Sequence, residues 1–368
     1  MTDRVRIGIV GCGSVMSSPY MSLVDQLTYQ GLVEVVMACD VKPEKGDFVR
    51  EQFGITNFTT DFEEVVSSND VDLVLVLTSM NQHGPIARAG LEAGKHVLVE
   101  KPMSTSLSEA AELVELAKQS PGLLLPAPHV VLSPTYQEMW RRIQRGTIGK
   151  VLSARALYGW AGPDWGPWFY QPGGGSMFDL GVYNVVTLTG LIGPAKRVTG
   201  FVGTAIPERV VDGELMQVKA DDNAHILIDF GESVFAVVTT GFTLQQYRTP
   251  AVEIYGSEGV IQMMGDDWAP NGYELWENRV GAWQIYEETD PSWPWTDGLR
   301  HMVECIQTGQ QPVITPEHAY HVLEIMLKTQ ESSRDGVFKT IDSTFTPPSF
   351  ALEDEGREAA HLIHDRSH

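Results

Sequence analysis

The sequence predicts an α/β chain of two domains, a doubly wound parallel sheet followed by an α/β domain whose large open sheet is mostly antiparallel. Three observations lead there. Residues 1–124 repeat a short continuous apolar run and a helix-length segment, the pattern of parallel strands buried on both faces. Beyond them the apolar runs alternate with polar residues, as strands covered on one face do. The length of 368 residues also exceeds one ordinary core.

The elements follow in order. "VRIGIV" (5–10) is the first strand, and a glycine turn after it opens a helix. "VEVVMACD" (33–40) is the second strand, and 44–54 is a helix stopped by Gly54. The run 70–79 is the third strand, and 84–95 a helix with Pro85 in its first turn and Gly94 at its end. "HVLVE" (96–100) is the next strand, and 106–120 is an apolar-periodic helix capped by Ser106 or Ser108. The second domain spans 125–345, with a helix at 134–147. Its alternating runs lie at 151–160, 196–206, 223–230, 233–243 and 251–264, and "FGES" (230–233) turns one strand into the next. Helices near 297–308 and 316–334 close the fold. Residues 346–368 read as a polar tail with a short helix.

Composition excludes several functions. The formal net charge of -22, from 26 Lys+Arg against 48 Asp+Glu, repels nucleic acid and anionic membrane. No run of about 18 apolar residues and no leader-like apolar segment occurs, so the expected location is the cytoplasm. Cys12, Cys39 and Cys305 form no CxxC, and the first two read as small buried hydrophobes. "ADDNAH" (220–225) lacks the ligand spacing of a zinc helix, so no metal is expected there, and His318 and His321 read as structural.

Three stretches carry chemistry. In "GIVGCGSVM" (8–16), Gly11 permits a tight turn and Gly13 lets backbone N–H groups approach a diphosphate, with Ser14, Val15 and Met16 opening the helix whose N-terminus favours that charge. Met16 stands where a third glycine or alanine is usual. Asp40 ends the second strand, where an acid accepts bonds from ribose hydroxyls and repels a 2′-phosphate. The cofactor expected is therefore NAD, with NADP the alternative because Lys42 is near. In "VEKP" (99–102), Glu100 and Lys101 stand at the carboxyl edge of a strand, where open α/β sheets bind ligands; a solvated ion pair beside a proline turn is the other reading. In "GGGSMFDLGVYN" (173–184), Asp179 and Tyr183 are four apart and share a helix face. A phenol with a free pKa of about 10 needs an ammonium such as Lys101 to serve as a base; otherwise Tyr183 is a core aromatic. Just upstream, 158–172 crowds Tyr158, Trp160, Trp165, Trp168, Phe169 and Tyr170. Such rings stack on sugar C–H faces, with Trp165 and Trp168 as substrate candidates, or else form a lid or subunit contact.

Together with "TSMNQH" (78–83) and "GLEAGKHVLVEKP" (90–102), these residues resemble the Gfo/Idh/MocA family over residues 4–342. The resemblance implies an N-terminal Rossmann domain and a C-terminal domain whose open sheet covers the nicotinamide and builds a homo-oligomer, a dimer or tetramer. It implies hydride transfer between a nicotinamide and a carbinol of a sugar, polyol or glycoside. Lys101 and Asp179 match the family's lysine and aspartate. Tyr183 stands where many relatives have histidine, and so resembles the glucose–fructose oxidoreductase and dihydrodiol dehydrogenase branches, where the tyrosine exchanges the proton. Thr78 and His83 match the family's "TPNxxH" loop, which implies that His83 lies near the nicotinamide, while Ser79 and Met80 replace its proline and asparagine; Asn81 of the same loop is also expected at the cofactor. "PAPHVVLSP" (126–134) lacks the arginine usual near Val131, which leaves His129 as the substrate candidate. A redox-neutral enzyme that recycles bound NAD, such as a glycosidase, and a non-catalytic NAD-binding regulator are the competing readings.

Overall fold

The computed structural model describes residues 4–352 and the strand His361–Ile363. Residues up to His129 with Pro294–Tyr320 make one compact unit, and Val130–Trp293 with the residues from His321 onward make the other. The span 294–320, read above with the second domain, thus clusters with the first. Its helix Gly298–Thr308 buries Leu299, Met302 and Val303 against the first unit's own elements. Apart from His361–Ile363, the helix expected within the tail lies outside the described residues.

In the first unit the chain runs β1 (Val5–Val10), α1 (Met21–Tyr29), β2 (Val33–Cys39), α2 (Lys45–Phe53), β3 (Phe58–Thr59), α3 (Phe62–Ser67), β4 (Leu73–Val76), α4 (His83–Glu92), β5 (His96–Val99), α5 (Leu107–Gln119) and β6 (Leu124–Pro126). The strands stand in the order β3-β2-β1-β4-β5-β6, every neighbouring pair parallel. Continuous apolar runs produce this because both faces are covered: Ile7, Ile9, Leu73, Leu75 and Leu98 are wholly buried. Ser106, not Ser108, caps α5 by accepting the Glu109 N–H, and Gly54 ends α2 at φ 71°. The order reverses between β1 and β4, so the crevice that such sheets use for ligands opens at their carboxyl ends.

The second unit contains α6 (Pro134–Gln144), β7 (Val151–Gly159), α7 (Val182–Ile192), β8 (Arg197–Gly203), β9 (Glu208–Val211), β10 (Glu214–Gln217), β11 (Asn223–Gly231), β12 (Val234–Gly241), β13 (Val252–Gly256), β14 (Gly259–Asp266), β15 (Ala269–Glu277) and β16 (Trp283–Glu287). Its large sheet runs from Lys339–Thr340 through β8-β11-β12-β7-β13-β14-β15-β16 to His361–Ile363. Only the β12–β7 pair is parallel among these strands. Alternation follows the pleat: in β11, Ala224, Ile226 and Ile228 are buried while Leu227 is exposed. The run 251–264 is a hairpin and not one strand. The separate β9–β10 hairpin turns at Asp212-Gly213, φ 51° and 82°, the Asp-Gly signal of a tight hairpin. No helix among the described residues is long and apolar enough to cross a membrane.

Candidate active site

The glycine turn after β1 is built for close approach. Gly11 has φ +102°, and a Cβ there would lie 2.5 Å from the Leu77 carbonyl oxygen, so only glycine lets β1 and the end of β4 meet this tightly. Gly13 differs, because a Cβ on it would meet nothing within 4 Å. Gly13 and Ser14 are exposed and Val15 half-buried where the helix opens. That exposed N-terminus suits a diphosphate, and the residues present therefore fit a dinucleotide. Asp40 orients the turn: its Oδ2 accepts the Cys12 N–H at 2.8 Å and its Oδ1 the Lys42 N–H at 3.0 Å. A carboxylate has about four acceptor positions, which leaves capacity for two ribose hydroxyls. Met16 is fully buried at the start of a π-helical turn, Met16–Tyr20. Its side chain is a packing group, filling the space a third glycine would leave, and only its backbone could face a cofactor.

Lys101 follows β5 in a cis Lys101–Pro102 peptide. Glu100 is buried, at 6 % exposure, and accepts on both sides. Its Oε1 takes the Tyr20 hydroxyl at 2.9 Å and its Oε2 the Lys101 N–H at 3.1 Å. Both carboxylate oxygens of Glu100 thus serve the turn. His83 is 1 % exposed, with Nδ1 2.8 Å from the Pro102 carbonyl oxygen and Nε2 3.0 Å from that of Thr78, so its ring ties two loops. Burial pushes its pKa down. Thr78 is half-buried, and Asn81 is exposed, where its Oδ1 accepts from Ser79 at 2.9 Å. His129 is also 1 % exposed, with Nδ1 3.3 Å from the Trp295 carbonyl and Gly298 pressed on its ring. Its Nε2 has no hydrogen-bond partner among the described residues. Any substrate contact from His129 would have to use that nitrogen.

The second unit holds Asp179 and Tyr183. The glycine run lies against its own chain: a Cβ on Gly174 would meet the Trp168 and Phe169 carbonyls, and one on Gly175 (φ +109°) would lie 2.5 Å from Asp221 Oδ1. Asp221 pins the helix start, because its Oδ2 accepts the Ser176 hydroxyl and the Met177 N–H, each at 2.9 Å. Asp179 sits half-buried in the π-helical turn Met177–Gly181, and Tyr183, 7 % exposed, one turn on in α7. Tyr158 meets Tyr183 edge-on, with ring centroids 5.8 Å apart. Burial first, then Tyr183, Asp267 and Asp179, pushes the Tyr158 phenol far up, so it stays neutral. Beside them Asn184 Nδ2 donates to Asp267 Oδ2 at 2.5 Å, and burial pushes the Asp267 carboxyl well above the usual carboxylate range. The sequence reading named neither Asp267 nor Asp221 for these roles; a loop acid at a strand end has no periodic signal. Trp165 and Trp168 are exposed, at 48 % and 40 %, and Trp168 stacks on Phe169 at 3.7 Å. Beneath them Tyr170 and Phe242 are fully buried, and the Tyr170 hydroxyl donates to the Pro163 carbonyl at 2.7 Å.

Residues 5–126 match an oxidoreductase family with an NAD-binding Rossmann fold, and residues 136–262 match the GFO/IDH/MocA C-terminal domain. Levoglucosan dehydrogenase of Pseudarthrobacter phenanthrenivorans is 25% identical over 333 residues, covering 81% of this chain and 83% of the relative. Trans-1,2-dihydrobenzene-1,2-diol dehydrogenase of Mus musculus is 27% identical, covering 89% and 96%. The NAD-dependent scyllo-inositol 2-dehydrogenase of Bacillus subtilis is 24% identical, covering 93% and 98%. Among solved structures, a levoglucosan dehydrogenase in complex with NADH and levoglucosan superposes with a TM-score of 0.83 at 20% identity, covering 92% of this chain and 100% of that one.

Proposed function

The chain belongs to the Gfo/Idh/MocA family of NAD-binding oxidoreductases, and we propose that it oxidises a secondary carbinol of a sugar, polyol or glycoside to the ketone, or reduces the ketone to the carbinol. The observation that carries this reading is the pairing of a dinucleotide-type glycine turn after β1 with a lysine held by Glu100 after β5, both at the carboxyl edge of one sheet. Bound NAD supplies the hydride chemistry. Lys101 stabilises the alkoxide and exchanges its proton. Tyr183 is the second proton group, and Asp179 orients the substrate hydroxyl. Trp165 and Trp168 offer exposed ring faces to the C–H face of a sugar. The relatives named above act on levoglucosan, a dihydrodiol and scyllo-inositol, which supports a cyclic vicinal diol as the substrate class.

A panel of levoglucosan, D-xylose, scyllo-inositol, 1,5-anhydro-D-fructose and the dihydrobenzenediol, each with NAD and NADP in the appropriate redox state, tests this by nicotinamide absorbance. At least one should turn over, with NAD preferred over NADP because Asp40 repels a 2′-phosphate. Sugar consumption without net absorbance change would favour the redox-neutral reading, and no chemistry with any member would remove the proposal. The exposed Phe201, Leu227, Phe235 and Val237 on β8, β11 and β12 support a homo-oligomer formed on this face. Light scattering should report a dimer or tetramer, and a monomer at micromolar concentration would contradict it.

A further inference from the structure

We infer that the Lys101–Pro102 turn is clamped at both ends, by Tyr20 through Glu100 and by His83, and that these are positioning residues for the lysine. The inference rests on the reading of Lys101 as catalytic. Tyr20 closes the π-helical turn of the helix that begins at the glycines, and its ring meets Trp295 edge-on at 6.0 Å. Its hydroxyl donates to Glu100 Oε1, and Glu100 Oε2 accepts the N–H of Lys101 itself. A chain of two hydrogen bonds therefore links the dinucleotide-binding helix to the lysine backbone. On the other side the Pro102 carbonyl faces His83 Nδ1, whose ring begins α4 and reaches back to Thr78.

The two carbonyls compete for His83. A neutral imidazole has one N–H and one lone pair, so it donates to one oxygen only. The clamp requires the proton on Nδ1, facing Pro102 at 2.8 Å, with Nε2 the unprotonated nitrogen 3.0 Å from Thr78. The consequence is an asymmetry between two near-isosteres. The amide nitrogen of asparagine falls where Nδ1 was and can still hold Pro102, whereas that of glutamine falls where Nε2 was and cannot.

The test uses the full-length protein and the best substrate from the panel. Tyr20→Phe, which keeps the ring on Trp295, should lower kcat about tenfold with the KM for NAD within about twofold. His83→Gln should do the same, while His83→Asn should recover most of the rate, although both lose comparable thermal stability. Reductive 13C-methylation gives a readout independent of turnover: the Lys101 dimethylamino resonance, identified by its loss in Lys101→Arg, should shift in Tyr20→Phe and His83→Gln without cofactor. The Tyr20→Phe effect should also vanish when Lys101 is already methionine. Equal rates for His83→Asn and His83→Gln, an unmoved Lys101 resonance, or a Tyr20→Phe effect that persists without the lysine would each overturn the clamp while leaving Lys101 catalytic. A Lys101→Met enzyme with full turnover would instead overturn the reading of Lys101, and the clamp with it.

Discussion

Lys101→Met should lower kcat by about three orders of magnitude and leave NADH affinity within about threefold. The size follows from the roles assigned to one ammonium. A positioned proton-transfer group contributes roughly 10²–10⁴ in rate, and a fixed cation stabilises the alkoxide charge that develops as the carbinol proton leaves. Methionine keeps the length and apolar stem of lysine and removes the charge, so the turn held by Glu100 and His83 need not rearrange. The residues proposed to hold the dinucleotide, the glycine turn and Asp40, follow strands other than β5. Binding and chemistry should therefore separate: NADH fluorescence titration nearly unchanged, single-turnover hydride transfer nearly abolished. Tyr183→Phe should show a smaller loss with a changed pH profile, because the lysine remains to hold the alkoxide. A Lys101→Met enzyme with more than a tenth of normal kcat would mean that the proton leaves by another route. Lost rate together with lost NADH binding would mean that the lysine serves the cofactor.

Much of this arrangement is legible in the sequence because local patterns report local constraints. Continuous apolar runs such as "LVLV" in β4 announce two covered faces, and alternation in β11 announces one. Gly11, which the tight approach to Leu77 demands, sits in a recognisable turn motif. What sequence could not reach was partnership across distance. His83 carries a matching motif position, yet whether its nitrogens face a cofactor or two carbonyls depends on where Pro102 lies, 19 residues away. Glu100 sits 80 residues from Tyr20, and Asp267 lies 83 from Asn184; no periodicity connects such pairs. Gly174 and Gly175 lie close to their own chain, at Trp168 and Phe169 and at Asp221, contacts that no local pattern announces. The hairpin of β9 and β10 was overlooked although Asp212-Gly213 carries a strong turn signal, because its flanking strands are short and mostly exposed.

The second large effect is acid lability set by histidines that the fold holds neutral. His321 is fully buried, and the Ala195 N–H donates to its Nε2 at 3.0 Å while its Nδ1 faces the Ser343 hydroxyl at 2.8 Å. The ring is thus fixed with its proton on Nδ1. A second proton would point an N–H at the Ala195 N–H in a fully buried site, and burial pushes the pKa down to about 4, outweighing the favourable charge of Glu324. His96 and His301 repeat the device: the Leu123 N–H donates to His96 Nδ1 at 3.1 Å and the Val313 N–H to His301 Nε2 at 2.9 Å, and burial lowers both pKa values. In the unfolded chain such groups titrate near 6.5. Above that pH both states are neutral and the contribution is fully present. As pH falls below about 6.5 the unfolded chain takes up the proton first, so stability drops until the folded group titrates too. For His321 alone the loss approaches about 2 kcal/mol at pH 5 and about 3 kcal/mol below pH 4, at about 1.4 kcal/mol per pKa unit. His321→Gln isolates it, since the glutamine oxygen can accept the Ala195 N–H and carries no titrating group. Urea unfolding should find the variant less stable than the parent at pH 7.5, with the gap closing or reversing by pH 5. Parallel stability curves for the two proteins across that range, or a His321 resonance titrating near 6.5 by NMR, would show that the folded protein tolerates the charged ring.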